Sequence, residues 1–290
     1  MLALIFPGQG SQRKGMGADL FDTVEEYREL EQAVDDLLGY SLRQMCLEDP
    51  GGRMRQTQFT QPALYVVNAL HYYAARKEGV RPDFFAGHSL GEYNALLAAG
   101  VFDFMTGLRI VQKRGELMGA VRNGGMAAVI GVGPLEVGRV LRNAGLAALD
   151  VANYNSPQQT IVSGPASDIA AARVVFEEAG ADPYVDLPVS AAFHSRYMDD
   201  AARQFGTFLE EVAFAPPRVP VVANISALPY PQTGAEQAIR AALVKQMTYP
   251  VLWSQTIRYL LDRGVERFVE LGPGQVLSNL VKQIREPIGL

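Results

Sequence analysis

The sequence predicts an α/β protein in which a mostly parallel sheet is interrupted by a smaller inserted domain. In the first and last thirds of the chain, short apolar runs alternate with longer amphipathic stretches. That rhythm is typical of parallel strands joined by helices that cover both faces of the sheet. The middle of the chain has closely spaced short strands instead, and a length of 290 residues suits one large domain carrying an insertion.

The first part of the chain supplies two strands on either side of helical stretches. Its first strand is a short apolar run that stops at Pro7 and Gly8, which break regular structure. Pro62 lies near the first turn of a long predicted helix, a position that suits proline. The predicted elements are a strand over residues 2–6, helices over about 20–38 and 61–77, a strand over 83–86, a turn over 87–91 and a helix over 92–99.

The middle of the chain changes to a denser pattern of elements. The predicted elements are a strand over residues 126–132, a helix over 134–143, strands over 149–152 and 159–163, a helix over 167–179 and a strand over 183–187. The order β-α-β-β-α-β is the split-βαβ or ferredoxin-like pattern. We therefore predict a small domain over residues 125–189, inserted into a large domain made of 1–124 and 190–290.

After the insertion the alternation of strands and helices returns. The predicted elements are a strand over residues 219–224, helices over 235–246 and 253–263, and a strand over 267–271. The last strand runs into Gly272-Pro273-Gly274, which ends it. These strands are expected to complete the parallel sheet of the large domain.

Composition excludes several classes of function. A formal net charge of -5 and a pI near 5.3 argue against a broad nucleic-acid-binding surface, although a local basic pocket remains possible. Cys46 is the only cysteine, which excludes an intramolecular disulfide and a cysteine-rich metal cluster. The apolar N-terminal run lacks the features of a signal peptide, and no apolar run is long enough to span a bilayer. We expect a cytoplasmic protein with no membrane or nucleic-acid partner.

A candidate nucleophile lies in the turn between the second strand and its following helix. Gly87-His88-Ser89-Leu90-Gly91 fits the Gly-x-Ser-x-Gly nucleophile elbow, which places a serine oxygen above the sheet at a helix N-terminus. The glycines are needed there because a sharp turn brings neighbouring backbone close to the serine. The alternative interpretation is a plain glycine turn with no catalytic role.

Serine needs a base within hydrogen-bond reach, and histidine is the commonest choice. The chain has three histidines. His71 lies in a predicted helix among tyrosines, where packing or solvation explains it. His88 is next to the serine, so its ring is poorly placed to act on its neighbour, but we predict that it lines the pocket. Elimination favours His194, in a loop after the inserted domain, against the alternative of a structural loop histidine.

The loop after the first strand is a candidate oxyanion hole. Residues 6–12 (FPGQGSQ) follow a strand end, where doubly wound folds place ligand contacts. A dinucleotide-binding loop is a weak alternative because Arg13 stands where the third glycine belongs. A purely structural turn is the other alternative. In the oxyanion interpretation, the backbone N–H groups of Gln9 and Leu90 hold the developing negative charge, each worth roughly 2.7–4 kcal/mol of barrier.

Together these segments resemble the malonyl-CoA:acyl carrier protein transacylases, which include stand-alone enzymes of fatty-acid synthesis and the acyltransferases of polyketide synthases. The matching segments are residues 8–12 (GQGSQ), 87–93 (GHSLGEY), 114–115 (RG), 193–195 (FHS) and 270–274 (ELGPG). The resemblance extends from the first strand to about Gln283. It implies an α/β-hydrolase-like core with a parallel sheet and a ferredoxin-like insert.

The resemblance also implies roles for particular residues. Ser89 matches the nucleophile and His194 the general base, while the backbone carbonyl of Gln246 matches the group that orients the histidine. Arg114 matches the arginine that grips the free carboxylate of malonate, although most arginines on helices are simply solvated. Two parallel hydrogen bonds from a guanidinium suit a carboxylate better than a lysine does. Phe193 matches a residue of malonyl-selective members, where its ring leaves little room for an α-methyl branch; the alternative is a core phenylalanine.

The implied activity is a two-step transfer of malonyl from coenzyme A to the phosphopantetheine thiol of an acyl carrier protein, through an ester on Ser89. Neither a metal nor a redox cofactor is expected, and we expect a monomer. Asn94-Ala-Leu after Tyr93, and the end of the chain soon after Gln283, favour a free-standing acyltransferase of polyketide synthesis over fatty-acid synthesis. The alternatives are a serine hydrolase or thioesterase, and a non-catalytic docking module on the same fold.

Overall fold

Two sheets organise the chain in the computed structural model, which describes residues 1–286. The strands are β1 (Leu2–Phe6), β2 (Phe84–Gly87), β3 (Gly124–Ile130), β4 (Asp150–Ser156), β5 (Gln159–Pro165), β6 (Tyr184–Asp186), β7 (Val221–Val222) and β8 (Arg267–Glu270). A parallel sheet has the order β7-β2-β1-β8, and an antiparallel sheet has the order β4-β5-β3-β6. The predicted α/β class, with a parallel sheet and a second, antiparallel sheet, is confirmed.

Twelve α-helices connect and cover these strands within the described residues. They are α1 (Glu25–Arg28), α2 (Glu31–Leu38), α3 (Leu42–Glu48), α4 (Thr57–Lys77), α5 (Gly91–Ala98), α6 (Phe104–Ala120), α7 (Pro134–Asn143), α8 (Ala166–Glu178), α9 (Asp199–Leu209), α10 (Ala235–Gln246), α11 (Trp253–Asp262) and α12 (Val276–Arg285). Short 3₁₀ segments cover Pro50–Arg55 and Arg196–Met198. Over residues 1–286, no helix has the length and apolar character needed to cross a membrane.

The parallel sheet lies between two helical layers, and β1 contributes side chains to the apolar clusters on both faces. Leu4 and Phe6 pack into the cluster that includes α4, α5 and α6. Ala3 and Ile5 point to the opposite face, into the cluster formed by α11 and α12. This alternation follows from the two-residue period of a strand. Because both faces are covered, β1 reads as a continuous apolar run rather than as alternating polar and apolar residues.

The antiparallel sheet has the strand order expected of the ferredoxin-like pattern. Its helices α7 and α8 pack on one face, where Val129 and Phe176 belong to a separate apolar cluster. On the other face, Met126 and Ala128 of β3 join the large cluster of the parallel-sheet part. One face of the antiparallel sheet therefore packs against the parallel-sheet part of the chain. The exact boundaries of the inserted domain, residues 125 and 189, stay a prediction.

Several predicted elements differ from the structure. The helix predicted over residues 20–38 is two helices, because the chain turns between α1 and α2. Pro62 does not lie in the first turn of its helix, since α4 begins at Thr57 and places the proline at its sixth position. There the proline removes one backbone hydrogen bond of the helix. Burial of the helix against its neighbours keeps it continuous despite that loss. Helices α3, α6, α9 and α12 were not among the predicted elements.

Candidate active site

Ser89 lies in a sharp turn between β2 and α5, with a backbone φ of 51°. Positive φ is uncommon for a residue with a side chain and is tolerated where the surroundings enforce it. A Cβ on Gly87 would meet the carbonyl carbon and oxygen of Gly91 at 2.0 Å, and one on Gly91 would meet the Phe6 carbonyl oxygen at 2.0 Å. Both glycines are therefore required by close backbone approach, as the elbow interpretation expects.

His194 lies directly beside Ser89, although 105 residues separate them in sequence. Its Nε2 is 2.8 Å from the Ser89 Oγ, and its Nδ1 is 2.7 Å from the backbone oxygen of Gln246. Because a carbonyl oxygen only accepts, Nδ1 must carry the proton and Nε2 is free to accept the serine proton. The arrangement is that of a serine nucleophile and a histidine base oriented by a carbonyl.

The environment of His194 keeps the imidazole neutral. Burial, followed by the charge of Arg114, lowers its pKa to about 3, and the hydrogen bond to Gln246 opposes the shift. A neutral imidazole is the form that can accept a proton from serine. The base is therefore available well below the pH at which an ordinary histidine becomes protonated.

This shift predicts a weak pH dependence of Ser89 reactivity in mild acid. With a pKa of 6.5, the neutral fraction of a histidine would fall about tenfold between pH 5.5 and pH 4.5. We expect the labelling rate of Ser89 by an uncharged fluorophosphonate probe to change less than about threefold over that interval. The carboxyl of Glu92, with a pKa near 7, is protonated at both pH values and does not contribute to the difference. A tenfold fall would show that the His194 pKa is ordinary.

Arg114 of α6 is buried, with 1% of its surface exposed, and reaches the same serine. Its Nη2 donates to the Ser89 Oγ at 3.1 Å and to the Gln246 Oε1 at 3.0 Å, and its Nη1 donates to the Gln61 Oε1 at 2.8 Å. Among residues 1–286, no carboxylate forms an ion pair with it. Burial lowers the pKa of its guanidinium, yet arginine remains charged at neutral pH. The site thus holds a buried cation whose contacts are neutral oxygens.

The loop after β1 approaches the elbow closely. A Cβ on Gly8 would lie 2.5 Å from the His88 carbonyl oxygen and 3.7 Å from the Leu90 nitrogen. Within the described part of the chain, the backbone N–H groups of Gln9 and Leu90 donate to no protein acceptor. Both residues line the pocket that contains Ser89. Two unused donors on one pocket wall fit the predicted oxyanion hole, whose role stays a prediction.

The pocket above Ser89 has a volume of about 100 Å³. Its walls include the predicted residues His88 and Phe193, together with Met126 from the antiparallel sheet. His88 is half-buried; its Nε2 is 2.8 Å from the Asn155 Oδ1, and its ring packs edge-on against Trp253. The His88 ring therefore contacts Asn155 and Trp253 at the pocket wall, and His194 is the histidine that contacts Ser89.

A wider cleft opens on the other side of His194. It has a volume of about 470 Å³, and its lining includes Tyr154, Arg196 and Tyr249. Arg196 is paired with Asp150 across the cleft wall. His194 therefore lies between a small pocket and a larger, more open cleft.

The structure brings all eight predicted site residues together around Ser89. Seven of them line the pocket, and Gln246 contributes its backbone oxygen from behind His194. Sequence reasoning missed Gln61, Asn155 and Asn224, which contact Arg114, His88 and Ser89 respectively. Each of them is a lone amide residue outside a recognisable motif, so only the folded arrangement identifies it.

The family model for the acyl transferase domain matches residues 3–287 of the chain. The polyketide biosynthesis malonyl CoA-acyl carrier protein transacylase BaeC of Bacillus velezensis is 48% identical over 98% of the chain and 97% of that protein. The polyketide biosynthesis protein ThaF of Burkholderia thailandensis is 51% identical over 98% of the chain, but the chain spans only 24% of it. A structure of a type II PKS acyl-carrier protein in complex with its malonyl-transacylase, PlMCAT:AntF, matches with a TM-score of 0.92 at 35% identity, covering 98% of this chain and 93% of that one.

Proposed function

The chain belongs to the acyl transferase domain family, and from that premise we propose that it is a malonyl-CoA:acyl carrier protein transacylase. The observation that carries the proposal is the buried Arg114, which has no carboxylate partner among the described residues and lies 3.1 Å from the Ser89 Oγ. A buried charge is costly unless it is paired. A substrate carboxylate would supply the missing partner next to the nucleophile.

Malonate fits this arrangement because it carries a free carboxylate two bonds from its thioester carbonyl carbon. On entry, that carboxylate takes over the Nη2 N–H that otherwise points at the Ser89 Oγ. The Ser89 oxygen is then released from a donor that lowers its electron density. Binding of the correct acyl group and activation of the nucleophile are thereby linked through one guanidinium. An acetyl group would leave Arg114 unpaired.

The first half of the reaction forms an ester on Ser89. The His194 Nε2 takes the serine proton as Oγ attacks the thioester carbonyl. The N–H groups of Gln9 and Leu90 hold the tetrahedral oxyanion. When the intermediate collapses, the C–S bond breaks and the coenzyme A thiolate takes the proton from His194. The products are malonyl-Ser89 and free coenzyme A.

The second half transfers malonyl to a carrier protein by the reverse steps. The phosphopantetheine thiol gives its proton to His194 and attacks the ester carbonyl. The Ser89 oxygen leaves and recovers the proton. We assign the open cleft of about 470 Å³ beyond His194 as the approach for the pantetheine arm of either thioester. The names of BaeC and ThaF, together with their coverage of the chain, favour polyketide biosynthesis as its context.

The intact mass of the protein after brief incubation with malonyl-CoA tests the proposal. We expect one malonyl adduct per chain, which disappears when a phosphopantetheinylated carrier protein is added and reappears as malonyl on that carrier. Free malonate accumulating with no adduct would mean that water is the acceptor, and a serine hydrolase would then replace the transferase.

Phe193 provides a test of acyl-group selection. Its ring lines the acyl pocket, and an α-methyl branch is worth about 1–3 kcal/mol in such a site. We expect kcat/KM for malonyl-CoA to exceed that for methylmalonyl-CoA by roughly 10–200-fold. Phe193→Ala should reduce this ratio several-fold, mainly by raising the methylmalonyl rate. An unchanged ratio would mean that another wall residue excludes the methyl group.

A further inference from the structure

The side chain of Asn224 clamps the backbone on both sides of His88, the residue before the nucleophile. Its Oδ1 accepts from the Ser89 N–H at 2.7 Å, and its Nδ2 donates to the Gly87 carbonyl oxygen at 2.6 Å. Asn224 follows β7, the strand next to β2, and is 1% exposed. One buried carboxamide therefore satisfies both peptide groups of the turn that gives Ser89 its positive φ.

The carboxylate of Glu92 holds Asn224 in turn. Its Oε1 accepts from the Asn224 backbone N–H at 3.0 Å and from the Tyr230 hydroxyl at 2.7 Å. Its Oε2 accepts from the Gln246 Nε2 at 2.5 Å. Glu92 is 1% exposed, and within residues 1–286 it forms no ion pair. Burial raises the pKa of its carboxyl to about 7 against the opposing effects of the three donors and of the Arg114 charge.

Gln246 connects the same carboxylate to the other groups of the site. Its Nε2 also donates to the Ser89 carbonyl oxygen at 2.9 Å, and its Oε1 accepts from Arg114. Because Glu92 and the Ser89 carbonyl take both amide protons, the oxygen of this amide must face Arg114. The orientation of the Gln246 carboxamide is thus set by Glu92 together with the Ser89 carbonyl oxygen.

We propose that Asn224 and Glu92 are positioning residues for Ser89: Asn224 holds the elbow backbone, and Glu92 fixes both Asn224 and the Gln246 amide that meets Arg114. Neither residue lines the acyl pocket, so neither contacts the acyl group there. Their effect on reactivity passes through the geometry of the nucleophile. The inference rests on the proposed function only where malonyl-CoA is the acyl donor in its test.

Two variants test the proposal, and Asn224→Asp is the more direct because it changes a contact with the elbow backbone itself. An aspartate keeps the acceptor for the Ser89 N–H but places a second oxygen against the Gly87 carbonyl, so one half of the clamp becomes repulsive. We expect the acylation rate at saturating malonyl-CoA to fall about 100-fold, the size of effect that a small misplacement of a reacting group produces. The KM for malonyl-CoA should stay within about threefold, because uniform substrate binding is untouched.

Glu92→Gln tests the contacts of the Glu92 carboxylate with Asn224 and Gln246. A carboxamide has one accepting atom, so its NH₂ must face either the Asn224 N–H or the Gln246 Nε2, both of which are donors. The matched control is Tyr230→Phe, which removes a hydrogen bond from the same carboxylate but not one that leads to Ser89. We expect about tenfold or greater slowing in Glu92→Gln and less than about threefold in Tyr230→Phe.

Labelling of Ser89 by a fluorophosphonate separates this inference from the proposed function, because the probe needs an aligned serine and no malonyl group. The same ranking of variants is expected with the probe, and the double variant should be less slowed than the product of the two single effects. Folded variants that label at the wild-type rate, or effects that multiply independently, would overturn the proposal. Where Glu92→Gln does not fold, Asn224→Asp decides alone. If the probe results are as expected but no malonyl adduct forms, the positioning roles of Asn224 and Glu92 are retained and the transferase function is rejected.

Discussion

Ser89→Ala is expected to abolish the malonyl adduct and to lower transfer to a carrier protein by on the order of 10⁶-fold. The Ser89 Oγ is the only hydroxyl recorded within hydrogen-bond distance of His194 among the described residues. Without it the base has no protein oxygen to activate, and the double displacement loses its covalent intermediate. The measurement is intact mass after incubation with malonyl-CoA, combined with the rate of carrier-protein malonylation.

Ser163→Ala is the matched control for this prediction. Ser163 is fully buried, in β5 of the antiparallel sheet, and its hydroxyl has no hydrogen-bond partner in the described region. We expect Ser163→Ala to form the adduct at the wild-type rate and to melt at a similar temperature. An adduct that persists in Ser89→Ala would place the acyl group on another residue and contradict the mechanism.

The nucleophile was predictable because its signal is local. Gly87 and Gly91 flank Ser89 within five residues, and the contacts that exclude a Cβ at each lie within the elbow or on β1. A pattern that short can be recognised without knowledge of the rest of the fold. The same holds for β3, α7, β4, β5, α8 and β6, where the order of short elements alone specified the sheet that forms.

The surroundings of the nucleophile were not predictable in this way. Asn224 is 135 residues from Ser89, and Gln246 is 154 residues from Glu92. A single amide or carboxylate in a sequence carries no sign of its partner at that separation. The break between α1 and α2 was missed for a related reason, since an amphipathic pattern continues across a turn that tertiary packing decides. A local motif identified Ser89, elimination and the family resemblance identified His194, and topology selected the groups that hold them.

Arg114 combines the two cases, because the family resemblance predicted its role but the sequence did not predict its surroundings. An arginine on a helix is most often solvated, and nothing in residues 109–115 alone indicates burial. The structure encloses the guanidinium, stacks it near the Tyr93 ring at 5.4 Å and gives it amide oxygens as acceptors. A buried cation with neutral partners is unfavourable in the empty site. That cost is offset when a carboxylate enters, which makes Arg114 a selector of the acyl group.

Arg114→Ala is therefore expected to reduce kcat/KM for malonyl-CoA by roughly 10²- to 10⁴-fold. Each charge-assisted hydrogen bond to the carboxylate is worth about 1.5–3 kcal/mol, and two are lost. Arg114→Lys should recover only part of the loss, because an ammonium group cannot form two parallel hydrogen bonds in one plane. The same variants should lose the preference for malonyl-CoA over acetyl-CoA. Competition assays with mixed acyl-CoA donors measure both effects.

Arg109→Ala is the control, since Arg109 lies on the same helix but is exposed, and among the described residues its side chain donates a hydrogen bond only to Thr106. It should retain wild-type kcat/KM. If the fluorophosphonate labels Arg114→Ala at a rate within about tenfold of wild type, the site around Ser89 is still assembled. The loss of activity with malonyl-CoA is then caused by the loss of carboxylate binding. Turnover of malonyl-CoA by Arg114→Ala at the wild-type rate would contradict the assignment, and the selectivity would then have to come from the shape of the pocket.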